Sequence, residues 1–175
     1  SVRGKHRLII AADAVPERAE GLAAEHAGAQ ATTDWRAAIE HPEVNAVMVA
    51  TTNDALAPIA TAAAEAGKHV LVEKPAARRV AELDRVIAAA KRTKVHVQPA
   101  FNHRFHPALQ KARELVDADA LGRLMFVRGR YGHGGRLGYD REWRANPNIS
   151  GGGELLDQGV HLIDLARWFC GDFNR

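Results

Sequence analysis

"VNAVMVATTNDALAPIATAAAEAGKHVLVEKP", residues 44–75, is the stretch whose reading decides the fold. Its first seven residues, 44–50, are rich in valine and read as a strand. An alanine-rich helix follows from about Asp54 to Ala66 and is ended by Gly67, a residue suited to the left-handed turn past a helix C-terminus. A second strand, "KHVLVE" (68–73), comes next. A strand, a helix and a further strand make a right-handed crossover between parallel strands.

The same alternation extends to both sides. Upstream, "RLIIAA" (7–12) reads as a strand, "VPERAEGLAAEHA" as a helix with Pro16 in its first turn, and "WRAAIEH" as a short helix. Downstream, a helix from about Ala77 to Thr93 precedes the strand "KVHVQPAF" (94–101). The fold class is therefore α/β: a doubly wound parallel sheet with helices on both faces. After Phe101 the texture changes. "PALQKARELVDADALG" is one more helix, and "RLMFVRGRYGHGG" alternates apolar and polar residues like an antiparallel strand. A loop over 132–153, rich in Gly, Asn and Pro, then leads into the helix "GGGELLDQGVHLIDLARWF" (151–169). Two domains are expected, 1–101 and 102–175, with the transition between about Asn102 and Gly122.

The totals limit the possible functions. The chain has 175 residues, enough for one domain with a core or one domain and part of another. Net charge is +3, but basic residues, including the small groups Arg3, Lys5, Arg7 and Arg78, Arg79, are scattered among acidic ones with few aromatics between. That pattern gives a solvated face and no nucleic-acid surface. No apolar run approaches the length of a bilayer crossing, and the start has no signal-peptide design. The single cysteine, Cys170, points to a reducing, cytoplasmic setting.

Open parallel sheets bind ligands beyond the carboxyl ends of their strands, and this is where the polar residues fall. Asp13 follows the first run, Thr51-Thr52-Asn53 the second, Glu73-Lys74-Pro75 the third and Asn102-His103-Arg104 the fourth. An acidic residue at the position of Asp13 accepts hydrogen bonds from an adenosine ribose and repels a 2′-phosphate, which favours NAD over NADP. Its alternative role is to cap the next helix. A lysine at a buried strand end, such as Lys74, must pair or shift its pKa. Pro75 suits a turn with a cis bond. An ion pair of Lys74 with Glu73 is disfavoured because successive strand residues face opposite ways. In the last helix Asp157 and His161 are four residues apart and lie above one another.

Through "HVLVEKP", "NHRFHP" and "GGGELLDQGVHLID" in that order, the sequence resembles the glucose–fructose oxidoreductase / inositol dehydrogenase / MocA family of nicotinamide-dependent oxidoreductases. The resemblance covers nearly the whole chain. It implies a Rossmann domain followed by an α+β domain with an antiparallel open sheet, and association into homo-oligomers through that sheet. It also implies a catalytic set of Lys74, Asp157 and His161. Asp13, Thr51, Asn53, Glu73, Lys74 and Asn102 would lie along NAD (or NADP), and Arg104 matches the arginine of the family's Asn-Arg-Arg-Phe-like loop. The implied reaction is hydride transfer between a secondary alcohol of a sugar, polyol or nucleotide-sugar and the nicotinamide. Tyr139, Trp143 and Arg144 are further substrate-contact candidates, for which ordinary packing and a surface ion pair are the alternatives.

The chain departs from that family in several places. The GxGxxG fingerprint and the first strand are absent, and Thr52 and Leu56 stand where the family often has proline and histidine. The first strand sits between the second and fourth, so its absence leaves a gap of two strand spacings, about 10 Å. An internal piece of a longer protein is therefore expected. "GHGGRLG" (132–138) precedes no helix and reads as a substrate loop, and "GGG" (151–153) as close backbone packing. Two rival functions remain. One is a non-catalytic Rossmann-like binding protein. The other is a metal enzyme using His103, His106, His133, Asp157 and His161, which lacks any tightly spaced motif such as HExxH.

Overall fold

The computed structural model describes residues 6–132 and 137–173. Strand β1 (Ile10–Ala12) leads into helix α1 (Pro16–Ala24), where Pro16 takes the first helical position because its missing N–H would go unpaired there anyway. Strand β2 (Gln30–Thr32) pairs in parallel with β1, joining Ile10 to Gln30 and Ala12 to Thr32. Three short, mostly exposed residues carry no periodic signal, and β2 was not anticipated from the sequence. Helix α2 (Trp35–Glu40) starts where the Asp34 carboxylate accepts the Arg36 N–H at 2.9 Å.

Strand β3 (Ala46–Val49), helix α3 (Asn53–Glu65) and strand β4 (His69–Glu73) form the crossover of the quoted stretch. Gly67 holds φ +74, the left-handed turn that releases the chain from α3 into β4. Helix α4 (Val80–Thr93) and strand β5 (Val97–Ala100) complete a parallel sheet of order β3-β4-β5. The core lies on one face of this sheet. Leu56, Ala60, Ala63 and Ala64 of α3 and Val86 and Ala89 of α4 are buried against Val49, Val70 and Val72. On the opposite face Met48 and Leu71, cross-strand neighbours, are 73% and 37% exposed. The α/β architecture is the one expected, with α1 packed on β1 and β2 and with α3 and α4 packed on the larger sheet.

No pairing joins β1 to β3, so the parallel strands fall into two sheets at the expected gap. Beyond β5, a 3-10 turn (Asn102–Phe105) and helix α5 (Pro107–Asp117) follow. The alternating segment 123–132 forms no strand, contrary to expectation. A ladder needs a partner, and among the described residues this half has no other strand, which leaves Met125 and Phe126 exposed. Helix α6 (Pro147–Ser150) then precedes a five-residue π-helical stretch (Leu155–Gly159) and helix α7 (Val160–Cys170). The sequence reading anticipated an unbroken α-helix. Gly159 closes this stretch, beneath the exposed side chain of Leu155. Wide turns of this kind occur often at functional sites.

Candidate active site

The carboxyl ends of β3, β4 and β5 lie along one edge, because the three strands are parallel. Lys74 leaves the end of β4 with its peptide to Pro75 in the cis form. Its ammonium reaches across to the second half of the chain. Nζ donates to the Asp157 carboxylate at 2.7 Å and to the Asp157 carbonyl at 2.7 Å. Glu73 takes no part in that pair; its carboxylate accepts the Lys74 backbone N–H at 3.2 Å. The pair is mostly shielded, with the two side chains 18% and 13% exposed. Burial raises the Asp157 carboxyl, but the hydrogen bond and charge of Lys74, with Arg144 beside it, outweigh that and hold it below its usual range.

His161 begins the next turn and is only 5% exposed. The His103 ring stacks on it at 4.0 Å with 21° between planes, while Phe101 and Tyr131 meet it edge-on at 6.2 and 6.1 Å. Burial lowers its pKa to about 4, and the charges of His103 and Lys74 add to the effect against the opposing pull of Asp164 and Asp157. The imidazole is therefore neutral at ordinary pH, with a free lone pair to accept a proton. Its Nδ1 is buried with no hydrogen-bond partner in the structure. Buried polar atoms are nearly always satisfied, so this unpaired nitrogen is an exception within the cluster.

The remaining candidates divide. Arg144 joins the cluster, 3.8 Å from Asp157 Oδ2, and its guanidinium lies over the Trp143 ring at 4.4 Å. Burial and the carboxylates of Asp157 and Glu154 raise the Tyr139 phenol. Arg104 is engaged elsewhere: it grips the buried Asp164 with two hydrogen bonds of 2.8 and 2.6 Å, an anchor between the 3-10 turn and α7. Asn53 is also engaged, its amide donating to the Ser150 carbonyl at 2.9 Å. Asp13 Oδ1 accepts the Val15 N–H at 2.9 Å, which is the capping alternative, although a carboxylate so bonded still has lone pairs for ribose hydroxyls. Among the described residues no hydrogen bond or ion pair joins Asp13, Thr51 or Asn102 to the Lys74–Asp157 pair.

Arg78 was read as a solvated surface charge and is instead part of the junction between the halves. It donates to the Asn148 carbonyl and to Glu82. Gly151, at φ +82, packs so closely against it that a Cβ would lie 2.5 Å from Arg78 Cβ. Only this contact could have been guessed, from the glycine run. Among the described residues no group of three or more His, Cys, Asp or Glu side chains could hold a metal ion; His133 lies outside them. No helix among them is long and apolar enough to cross a membrane.

The profile of the GFO/IDH/MocA oxidoreductase family, described as having an NAD-binding Rossmann fold, matches residues 2–101, and the GFO/IDH/MocA C-terminal domain matches residues 109–175. Levoglucosan dehydrogenase of Pseudarthrobacter phenanthrenivorans is 37% identical over 94% of this chain and 43% of its own length. Myo-inositol 2-dehydrogenase of Thermotoga maritima is 32% identical over 91% of this chain and 45% of its own. Among solved structures, a levoglucosan dehydrogenase in complex with NADH and levoglucosan superposes with a TM-score of 0.81 at 35% identity, covering 93% of this chain and 44% of that one. The chain thus spans less than half the length of these relatives.

Proposed function

The chain belongs to the GFO/IDH/MocA oxidoreductase family, and we propose that it carries the catalytic groups for hydride transfer between a secondary alcohol of a sugar or polyol and NAD. One observation carries this reading. A lysine from the end of β4 meets Asp157 of the second half, one turn from a buried, neutral histidine whose Nδ1 has no partner.

The catalytic set is Lys74, Asp157 and His161. His161 accepts the proton of the substrate hydroxyl. An ammonium has three N–H donors, and two of those on Lys74 are held by Asp157. The third donates to the substrate oxygen and stabilises the negative charge that develops there. Asp157 fixes the direction of that third donor and balances the lysine's charge. Asp13, Thr51, Asn53, Glu73, Lys74 and Asn102 would line the cofactor, with the carboxylate of Asp13 favouring NAD over NADP. Bound there, the nicotinamide supplies the acceptor for the hydride leaving the carbinol carbon. Tyr139, Trp143 and Arg144 flank the substrate beside Asp157, and Arg104 supports the site through Asp164.

The division into a nucleotide half, 1–101, and a substrate half, 102–175, is part of the same reading, supported by the two family matches. So are homo-oligomers built on the open sheet of the second half and a cytoplasmic location, the latter suggested by the single cysteine. Levoglucosan and inositols are the first substrates to try, given the relatives named above. The test is formation of reduced nicotinamide by the intact protein over a panel of sugars and polyols, with NAD and NADP compared. Turnover of at least one substrate, faster with NAD, is expected. No turnover across the panel would reject the reading.

A further inference from the structure

His103 has no part in the chemistry assigned above, yet among the described residues it makes the closest aromatic contact with His161. Its ring lies 4.0 Å from that of His161 at 21°, and Tyr131 meets it edge-on at 5.0 Å. The two histidines come from separate elements, the 3-10 turn after β5 and the start of α7, and Arg104 next to His103 ties the same two elements together through Asp164.

We propose that His103 is a positioning residue for His161: stacked on one face of the ring, it fixes the plane of the imidazole and keeps water off it. This rests on His161 being the proton acceptor of the proposed reaction. The geometry argues against a proton relay between the two rings. Imidazole N–H bonds lie in the ring plane, so in a near-parallel stack neither ring points a donor at the other. The groups that set the charge around His161 are Lys74 after β4, Asp157 of the π-helical stretch, Asp164 of α7 and His103 itself. Of these, His103 alone is stacked on the ring, so it controls both solvent access and tilt.

The test compares His103→Phe, which retains a flat ring, with His103→Ala, which does not, in the intact protein. Histidine titrations followed by NMR would read the His161 midpoint, expected at about 4 in the wild type. In His103→Ala that midpoint should rise by about one pH unit, a roughly tenfold gain in proton affinity as water reaches the ring. Its kcat should fall about tenfold with KM changed by less than about threefold, because orientation rather than substrate binding is lost. His103→Phe should turn over close to wild type, and its midpoint should rise by less than that of His103→Ala, because it loses the charge of His103 but keeps the ring that excludes water. An unmoved midpoint in His103→Ala, or a His103→Phe variant as impaired as His103→Ala, would overturn the proposal. The titration needs no turnover, so a wild type inactive on every sugar would sink the functional reading while the stacking result stood separately.

Discussion

His161 combines three properties that act together at the residue scale: 5% exposure, a pKa drawn from 6.5 to about 4, and a buried Nδ1 without a partner. The folded state binds the proton more weakly than the unfolded chain. Its stability is therefore complete above about pH 6.5 and declines as pH falls towards about 4. The shift corresponds to roughly 3 kcal/mol at most. Urea denaturation across that range should show the decline, and His161→Gln should flatten it; an equally steep decline in the variant would assign it to other groups. Asp157 depends on pH in the same direction but for a different cause. Its carboxyl sits below the usual range because Lys74 outweighs burial, so the pair's contribution persists above about pH 4 and is lost only as Asp157 protonates below that. Lys74→Met leaves that shielded carboxylate with Arg144, at 3.8 Å, as its remaining cation, and should cost roughly 1 to 3 kcal/mol in the same denaturation assay.

Periodicity reveals elements where one face is buried and fails where that signal is missing. Helix α3 was legible to within a residue or so because Leu56, Ala60, Ala63 and Ala64 repeat on its buried side. Strand β2 was not, since "QAT" has neither alternation nor length. Segment 123–132 has the alternation and still makes no strand, because a sequence pattern cannot supply the neighbouring backbone. The π-helical stretch was also beyond reach, because nothing in the pattern of 155–159 distinguishes it from an α-helix. Two substitutions test these elements. Leu56→Ala, at a side chain with no exposed surface, should lower stability by roughly 2 to 5 kcal/mol. Gly151→Ala combines a left-handed backbone with a steric clash against Arg78 and should cost roughly 1 to 3 kcal/mol. A neutral Gly151→Ala would mean that the seat of α6 on the first half is loose.

For the molecule as a whole, the sequence singled out the candidate groups but not how they are joined. Lys74, Asp157 and His161 were legible from strand ends and helix spacing together with the family resemblance. Their pairing across 83 positions was not, nor was the use of Asn53, Arg78 and Arg104 as fasteners between segments. Those bonds join parts of the chain far apart in sequence, where no local pattern records them. The result is a lysine from the end of β4 paired with Asp157, four residues before a buried histidine. The most direct test is the turnover of His161→Gln in the intact protein, measured beside its affinity for NAD. The account predicts a loss in kcat of about 100-fold or more, as expected for removal of a general base, with NAD binding retained. Wild-type turnover in that variant would contradict it.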